Sequence, residues 1–238
     1  MIRKAIFPDK PLSERGFTLR GGEIQRIETF SDAVFAFATT LLIVSLEVPK
    51  SFEELLVSMR GFFAFGICFT FLMLVWHEQH VFFRRYGLDD RYTIFLNAAL
   101  LFIVLFYVYP LKFLFSLIFS NQIYGAARNP FSIREDQMPE LMIIYSIGYV
   151  IIYSLFLLLY LHARSKRLLL GLTRHELFDT NTRIYADMIL IAVGFCSILL
   201  AIVLPTRIAG LCGWIYLTIG PAFWIYHARR AVKRRRIG

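Results

Sequence analysis

Polar side chains set inside apolar stretches are the residues whose types could do chemistry, because an acid, amide or imidazole in hydrocarbon is costly without a partner or a task. From Arg26 the chain reads Arg-Ile-Glu-Thr-Phe-Ser-Asp-Ala-Val-Phe-Ala-Phe-Ala-Thr-Thr-Leu-Leu-Ile-Val. This places Arg26, Ser31 and Asp32 at the foot of an apolar helix. At about 100° per residue, Phe30, Ala33, Phe37, Thr40, Leu41, Val44 and Val48 fall within an arc of about 100°, whereas Asp32, Thr39 and Ile43 gather nearly opposite. A second polar group, Trp76-His77-Glu78-Gln79-His80, closes a later apolar run. Its histidines are one residue too close for the His-Glu-x-x-His zinc motif, so a metalloprotease is not supported.

Two readings of Asp32 stand side by side. Thr29-Phe30-Ser31-Asp32 has the form of a capping box, in which Thr29 caps the helix and the acid reaches back to its backbone. Alternatively, Asp32 accepts hydrogen bonds from Trp76 and His77 on a neighbouring helix. Arg26 cannot pair with Asp32 along one regular helix, since six residues set them about 240° and about 9 Å apart. A further acid, Asp187 near the cytoplasmic start of the fifth span, either supplies a favourable charge in a helix's first turn or joins Asp32 and His77 in a proton-coupled transporter.

The elements that must position these groups are membrane helices. Of 238 residues 58% are apolar, and the mean hydropathy is +0.60. This composition excludes disorder and fits a membrane protein better than a soluble domain. Six segments, at about 29–46, 55–76, 92–113, 141–161, 184–204 and 208–226, are long and apolar enough to span, and they lack the alternation of strands. The expected fold is an all-α membrane protein with six transmembrane helices. A cytoplasmic arm (1–26) precedes the helical domain (27–227), and a basic tail (228–238) follows it. Pro110 and Pro221 lie within spans, where each is expected to kink its helix.

The net charge of +9 is mostly a record of topology. Twenty Lys and Arg residues fall on the side of the two termini and six on the other, which predicts both termini in the cytoplasm of a multi-pass cell-membrane protein. The basic tail is read as an anchor near anionic lipid, with no nucleic-acid partner. Cys68, Cys196 and Cys212 all lie in apolar runs and imply neither disulfides nor a metal cluster. The N-terminus lacks the apolar core of a signal peptide, so the arm is expected to belong to the mature chain. No nucleophile and base pair is evident, so an enzyme is not expected, and no cofactor is implied.

The run Arg26, Phe30, Ser31, Asp32, followed by Ala33-Val34-Phe35-Ala36 and Thr40-Leu41-Leu42, resembles the signature of the transmembrane protein 175 family of potassium channels. The Trp76/His77 group and Asn97 in the third span extend the match more loosely. The resemblance implies a homotetramer whose first helices line a central pore for potassium and other monovalent cations, in contact with membrane lipid. It implies a constriction that begins five residues after the motif aspartate, at Phe37, with Thr40, Leu41 and Val44 further along. This is the stripe that the periodicity marks. Arg26, Asp32, Trp76, His77 and Asn97 would hold the foot of the helix. The family's constriction usually carries isoleucine or leucine, and four phenyl rings in its place would exclude water more strongly. The chain lacks the Thr-Val-Gly-Tyr-Gly filter loop of other potassium channels.

Overall fold

The computed structural model describes residues 13–14, 17–22, 24–44, 50–119 and 134–234. Val48, the last residue of the expected stripe, lies outside them. Among the described residues two short antiparallel strands, β1 (Ser13–Glu14) and β2 (Phe17–Thr18), precede seven helices. These are α1 (Arg26–Val44), α2 (Phe52–Arg60), α3 (Phe62–Tyr86), α4 (Arg91–Ile118), α5 (Met138–Ser165), α6 (Arg174–Val203) and α7 (Ile219–Arg234), with a 3₁₀ turn at Glu135–Gln137 and a 3₁₀ helix at Thr206–Thr218. Four of them, α3, α4, α5 and α6, are long and apolar enough to cross a membrane.

The helices pack as a bundle around α4 and α5. The α5–α6 hairpin is the most extensive contact, α4 packs on α5, and α1 lies in the groove between α3 and α4. Tyrosines lock the middle of the bundle. Proline removes one backbone donor within α4, and beside that break Tyr107 Oη donates to the Tyr145 carbonyl (2.8 Å) while Tyr145 Oη donates to the Pro110 carbonyl (2.5 Å). α4 is one helix across Pro110.

Local chemistry sets the helix ends. Asp90 caps α4 by accepting from the Thr93 amide (2.9 Å) and hydroxyl (2.6 Å). Thr173 and Glu176 form a capping box at the start of α6. Gly87, at φ +57°, ends α3 with its N–H on the Phe83 carbonyl at 2.8 Å, and a Cβ there would lie 3.0 Å from the Arg20 carbonyl group.

The structure differs from the sequence reading in three places. The second span is not continuous from 55: the chain breaks at Gly61, and α3 continues to Tyr86 because Phe82, Phe83 and Tyr86 are buried beyond the polar group. The Trp76–His80 group thus lies within a helix and does not close one. The sixth segment begins as a 3₁₀ helix and becomes α-helical only at Ile219, so Pro221 sits in the first turn of α7, where its missing N–H costs least, and produces no mid-span kink. Finally, α1 starts at Arg26, a turn before the expected cap. Thr29 is already helical, donating both N–H and hydroxyl to the Gln25 carbonyl, and Glu28 accepts from the Gln25 amide (3.3 Å). Asp32 is therefore free of capping.

Candidate functional site

The first helix has two faces with different tasks. Glu28, Ser31, Phe35, Ala38 and Leu42, spaced by three or four residues, form its buried row against α3 and α4. Phe30, Ala33, Phe37 and Thr40 are exposed; Phe30 is 63% and Phe37 57% accessible. On a regular helix this exposed row lies about 150° from the buried one. The stripe marked by periodicity is thus the face this chain leaves uncovered. Leu41 is half-buried at its edge, and the Val44 side chain lies outside the described residues.

A chain of three side chains on three helices seats the buried row. Asn97 on α4 donates through Nδ2 to Ser31 Oγ (2.9 Å) and accepts at Oδ1 from Gln79 Nε2 of α3 (2.8 Å). Ser31 passes its own proton to the Ile27 carbonyl (2.7 Å). Ser31, Gln79 and Asn97 are all fully enclosed. Beside this chain, Trp76 Nε1 donates to Asp32 Oδ1 at 2.7 Å, and the His80 ring stacks on the Trp76 indole, 5.4 Å between centroids. The expected Trp76–Asp32 bond is present. His77 is exposed and holds no hydrogen bond or ion pair among the described residues, and His80 takes the place beside Trp76. Arg26 is also exposed and does not reach Asp32.

The hydroxyls in the upper part of α1 are satisfied within the helix. Thr40 donates to the Phe37 carbonyl (2.7 Å) and Thr39 to the Phe35 carbonyl (2.9 Å), which leaves each hydroxyl oxygen able to accept. At the far end Lys112 of α4 donates to the Leu42 carbonyl (3.0 Å), where a cation complements the negative end of the helix dipole.

Sequence reasoning missed Gln79 and Lys112. Gln79 stood inside the Trp76–His80 group, and its spacing of three from Trp76 was the available signal, since both project from one side of α3. A lone lysine near the end of an otherwise apolar span was the signal for Lys112.

The foot of α1 is tied down by the arm that precedes it. Phe17 is buried edge-on against Tyr86 (5.6 Å). Gly21 N–H reaches the Arg84 carbonyl (3.1 Å), and Gln25 Nε2 reaches the Gly87 carbonyl (3.1 Å). Arg20 donates to the buried Glu176 carboxylate (2.9 and 3.2 Å), which also accepts from the Thr18 and Thr173 amides. Nearby, Asp90 accepts from His162 (2.7 Å) and from Lys166. Burial alone would raise the Asp90 carboxyl. Lys166, Thr93 and His162 outweigh it and hold the group well below the usual carboxylate range.

The groups of a proton-coupled pathway are not assembled together. Asp187 is buried on α6 with Oδ2 unbonded, near the Arg183–Glu78 ion pair (2.8 Å), whereas Asp32 is engaged by Trp76 and His77 stands alone. Among the described residues no group of three His, Cys, Asp or Glu could hold a metal ion.

Residues 26–107 match the family model described as the endosomal/lysosomal potassium channel TMEM175. The stretch contains Arg26, the Ser31–Asp32 pair, the stripe, Trp76, Gln79 and Asn97. A potassium channel of Marivirga tractuosa is 37% identical over 235 residues, with 93% of each chain covered. A potassium channel of Streptomyces collinus is 34% identical over 88 residues, which are 34% of this chain and 43% of that one. The crystal structure of a variant of the potassium channel MtTMEM175, in complex with a nanobody fusion protein, superposes with a TM-score of 0.80 at 35% identity, over 92% of this chain and 98% of that one. These relatives are channels by name and lend the transporter alternative no support. On the near-complete coverage of the Marivirga protein and on the first-helix site, the chain is a membrane protein of the TMEM175 family of potassium channels, which are ion channels and not enzymes.

Proposed function

We propose that four copies of this chain surround a central pore lined by α1, through which potassium flows passively down its electrochemical gradient. The carrying observation is the two-sidedness of α1. Its inner row is fixed by Ser31, Asn97 and Gln79, while Phe30, Ala33, Phe37 and Thr40 face away from the chain's own core. A helix held so firmly on one side, with a regular apolar row on the other, is suited to meet copies of itself around an axis.

In this arrangement Phe37 forms the narrowest ring and excludes water when closed, with Leu41 and Val44 above it. Thr40 offers hydroxyl oxygens next to the ring. The Asp32–Trp76 bond and the Asn97 chain set the rotation of α1 and so the aim of Phe37. Six spans cross the cell membrane, α1 and the segment ending in α7 joining the four long apolar helices, and both termini lie in the cytoplasm. Outside, Glu53, Glu54, Asp136 and Glu140 raise the local cation concentration. Besides potassium the partners are other monovalent cations, surrounding lipid and the other copies; no cofactor takes part.

Replacing Phe37 with Ala tests this reading in liposomes loaded for potassium flux. Flux is expected to rise several-fold as the ring loses its bulk, and unchanged flux would argue against a constriction there. Single-channel recording under opposed potassium and sodium gradients then measures selectivity, and an absence of current under all conditions would refute conduction.

A further inference from the structure

The apolar residues exposed along α3 to α6 lie on helices that cross the membrane, where lipid or a neighbouring copy can cover them. Leu168 and Leu169 are different. They are 89% and 80% accessible and stand on the turn between α5 and α6, beyond the end of either helix.

That turn is held firmly. Arg167 N–H bonds the Arg164 carbonyl (3.2 Å), Leu170 N–H the Lys166 carbonyl (2.9 Å) and Leu172 N–H the Arg167 carbonyl (3.0 Å). Its inner side is fully engaged: Lys166 bonds Asp90, and Arg20 donates to the carbonyls of Leu170 (2.7 Å) and Gly171 (3.3 Å). Two leucines presented outward on such a preorganised turn lose little conformational freedom when they are covered.

Their neighbours identify what covers them. Arg164, Arg167 and Arg174 are exposed around the pair, and among the described residues none of the three holds an ion pair. The 28 residues of α5 rise about 42 Å, against about 30 Å of hydrocarbon and about 40–45 Å with headgroups, so the turn after Ser165 emerges at headgroup level. Exposed apolar side chains rimmed by free guanidinium groups at that depth match an anionic phospholipid surface. The planar guanidinium also suits phosphate oxygens.

We propose that the 164–174 turn docks onto the headgroup layer of anionic phospholipid, with Leu168 and Leu169 entering the acyl boundary and Arg164, Arg167 and Arg174 pairing with phosphates. Through Arg20 the contact is joined to the arm that runs directly into α1. The proposal rests on the chain being embedded in a membrane and not on conduction.

Amide hydrogen–deuterium exchange of the full chain tests it, in nanodiscs of phosphatidylcholine alone and of phosphatidylcholine with phosphatidylglycerol. Exchange across residues 164–174 is expected to be several-fold slower in the anionic discs. The difference should disappear in a Leu168→Ser/Leu169→Ser variant, whose changes are exposed and leave the bundle intact, and shrink in Arg167→Gln. Equal rates in the two discs, whether fast or slow, overturn the proposal and leave the face to a protein partner. Flux plays no part in the readout, so a failed channel assay and a failed docking assay are distinguishable.

Discussion

Replacing Asn97 with Leu would cut the link between α1 and the rest of the bundle at its centre. Asn97 joins Ser31 to Gln79, and all three are shut off from solvent. Leucine keeps the branching at Cγ but is bulkier, so the single variant also carries a packing cost, and the double-variant cycle is what isolates the polar part. Ser31 still donates to Ile27, but Gln79 Nε2 loses its acceptor in an enclosed site. An orphaned buried donor costs about 1–3 kcal/mol. Interhelical hydrogen bonds in membrane proteins average about 0.6 kcal/mol and reach about 1.7, which places the polar part of the expected loss near 1–2 kcal/mol. Gln79→Met alone should cost a similar amount, because it orphans the Asn97 carbonyl oxygen. With both substitutions the two orphans vanish together, and the double variant should be more stable than the sum of the single losses by about 1 kcal/mol. Equilibrium unfolding in mixed micelles, followed by circular dichroism, measures all four corners of the cycle. Strict additivity would refute the reasoning, since it would mean that Asn97 and Gln79 act independently.

Other consequences are testable in the same preparation. Asp90→Asn keeps the cap on Thr93 but removes the charge shared with Lys166 and His162; the Asp90 carboxyl is depressed in the folded chain, so its contribution is present above the ordinary carboxylate range and lost as pH falls through the folded value. Wild type should therefore melt higher than Asp90→Asn at neutral pH, and the gap should narrow progressively as pH falls below about 4; a constant gap would contradict the ion-pair account. Gly148 lies where a Cβ would come 2.3 Å from the Tyr107 ring, so Gly148→Ala should cost about 1–3 kcal/mol by overpacking the α4–α5 contact, read as a lowered melting temperature.

Much of the site was legible because polar residues in membrane helices have few uses. Ser31, Asp32, Trp76 and Asn97 stood out from apolar surroundings, and all four meet across helices through Ser31–Asn97 and Asp32–Trp76 as interhelical bonding requires. The helical ends were less legible. Hydropathy falls at His77, yet α3 runs another nine residues because aromatic side chains there bury against α5 and the arm. The cap of α1 was misplaced by one turn because Gln25 and Glu28 carry the reach-back bond without a Ser or Thr to mark it. The arm itself was read only as charge. Its fastening depends on Arg20 meeting Glu176, 156 residues away in sequence, a pairing that no local pattern encodes.

These features explain why α1 can be oriented at all. In a bilayer, packing one apolar helix against another gains little from the hydrophobic effect, because lipid is equally apolar. An α1 made only of Phe, Ala, Leu and Val could therefore rotate about its axis at low cost. Ser31 and Asp32 remove that freedom, since rotation would break the bonds to Asn97 and Trp76 and leave polar groups in hydrocarbon. Both residues lie within seven positions of Phe37, so about two turns of helix carry their orientation to its side chain. The polar foot and the apolar stripe thus act as one device: the first sets the angle at which the second is presented. The arm adds a fixed height, because Gln25 is tied to the Gly87 carbonyl immediately before Arg26 opens the helix. In the proposed tetramer an error in either angle or height would be repeated four times around the axis. For that reason Ser31→Ala, which leaves the apolar stripe untouched, is expected to alter potassium flux as well as stability.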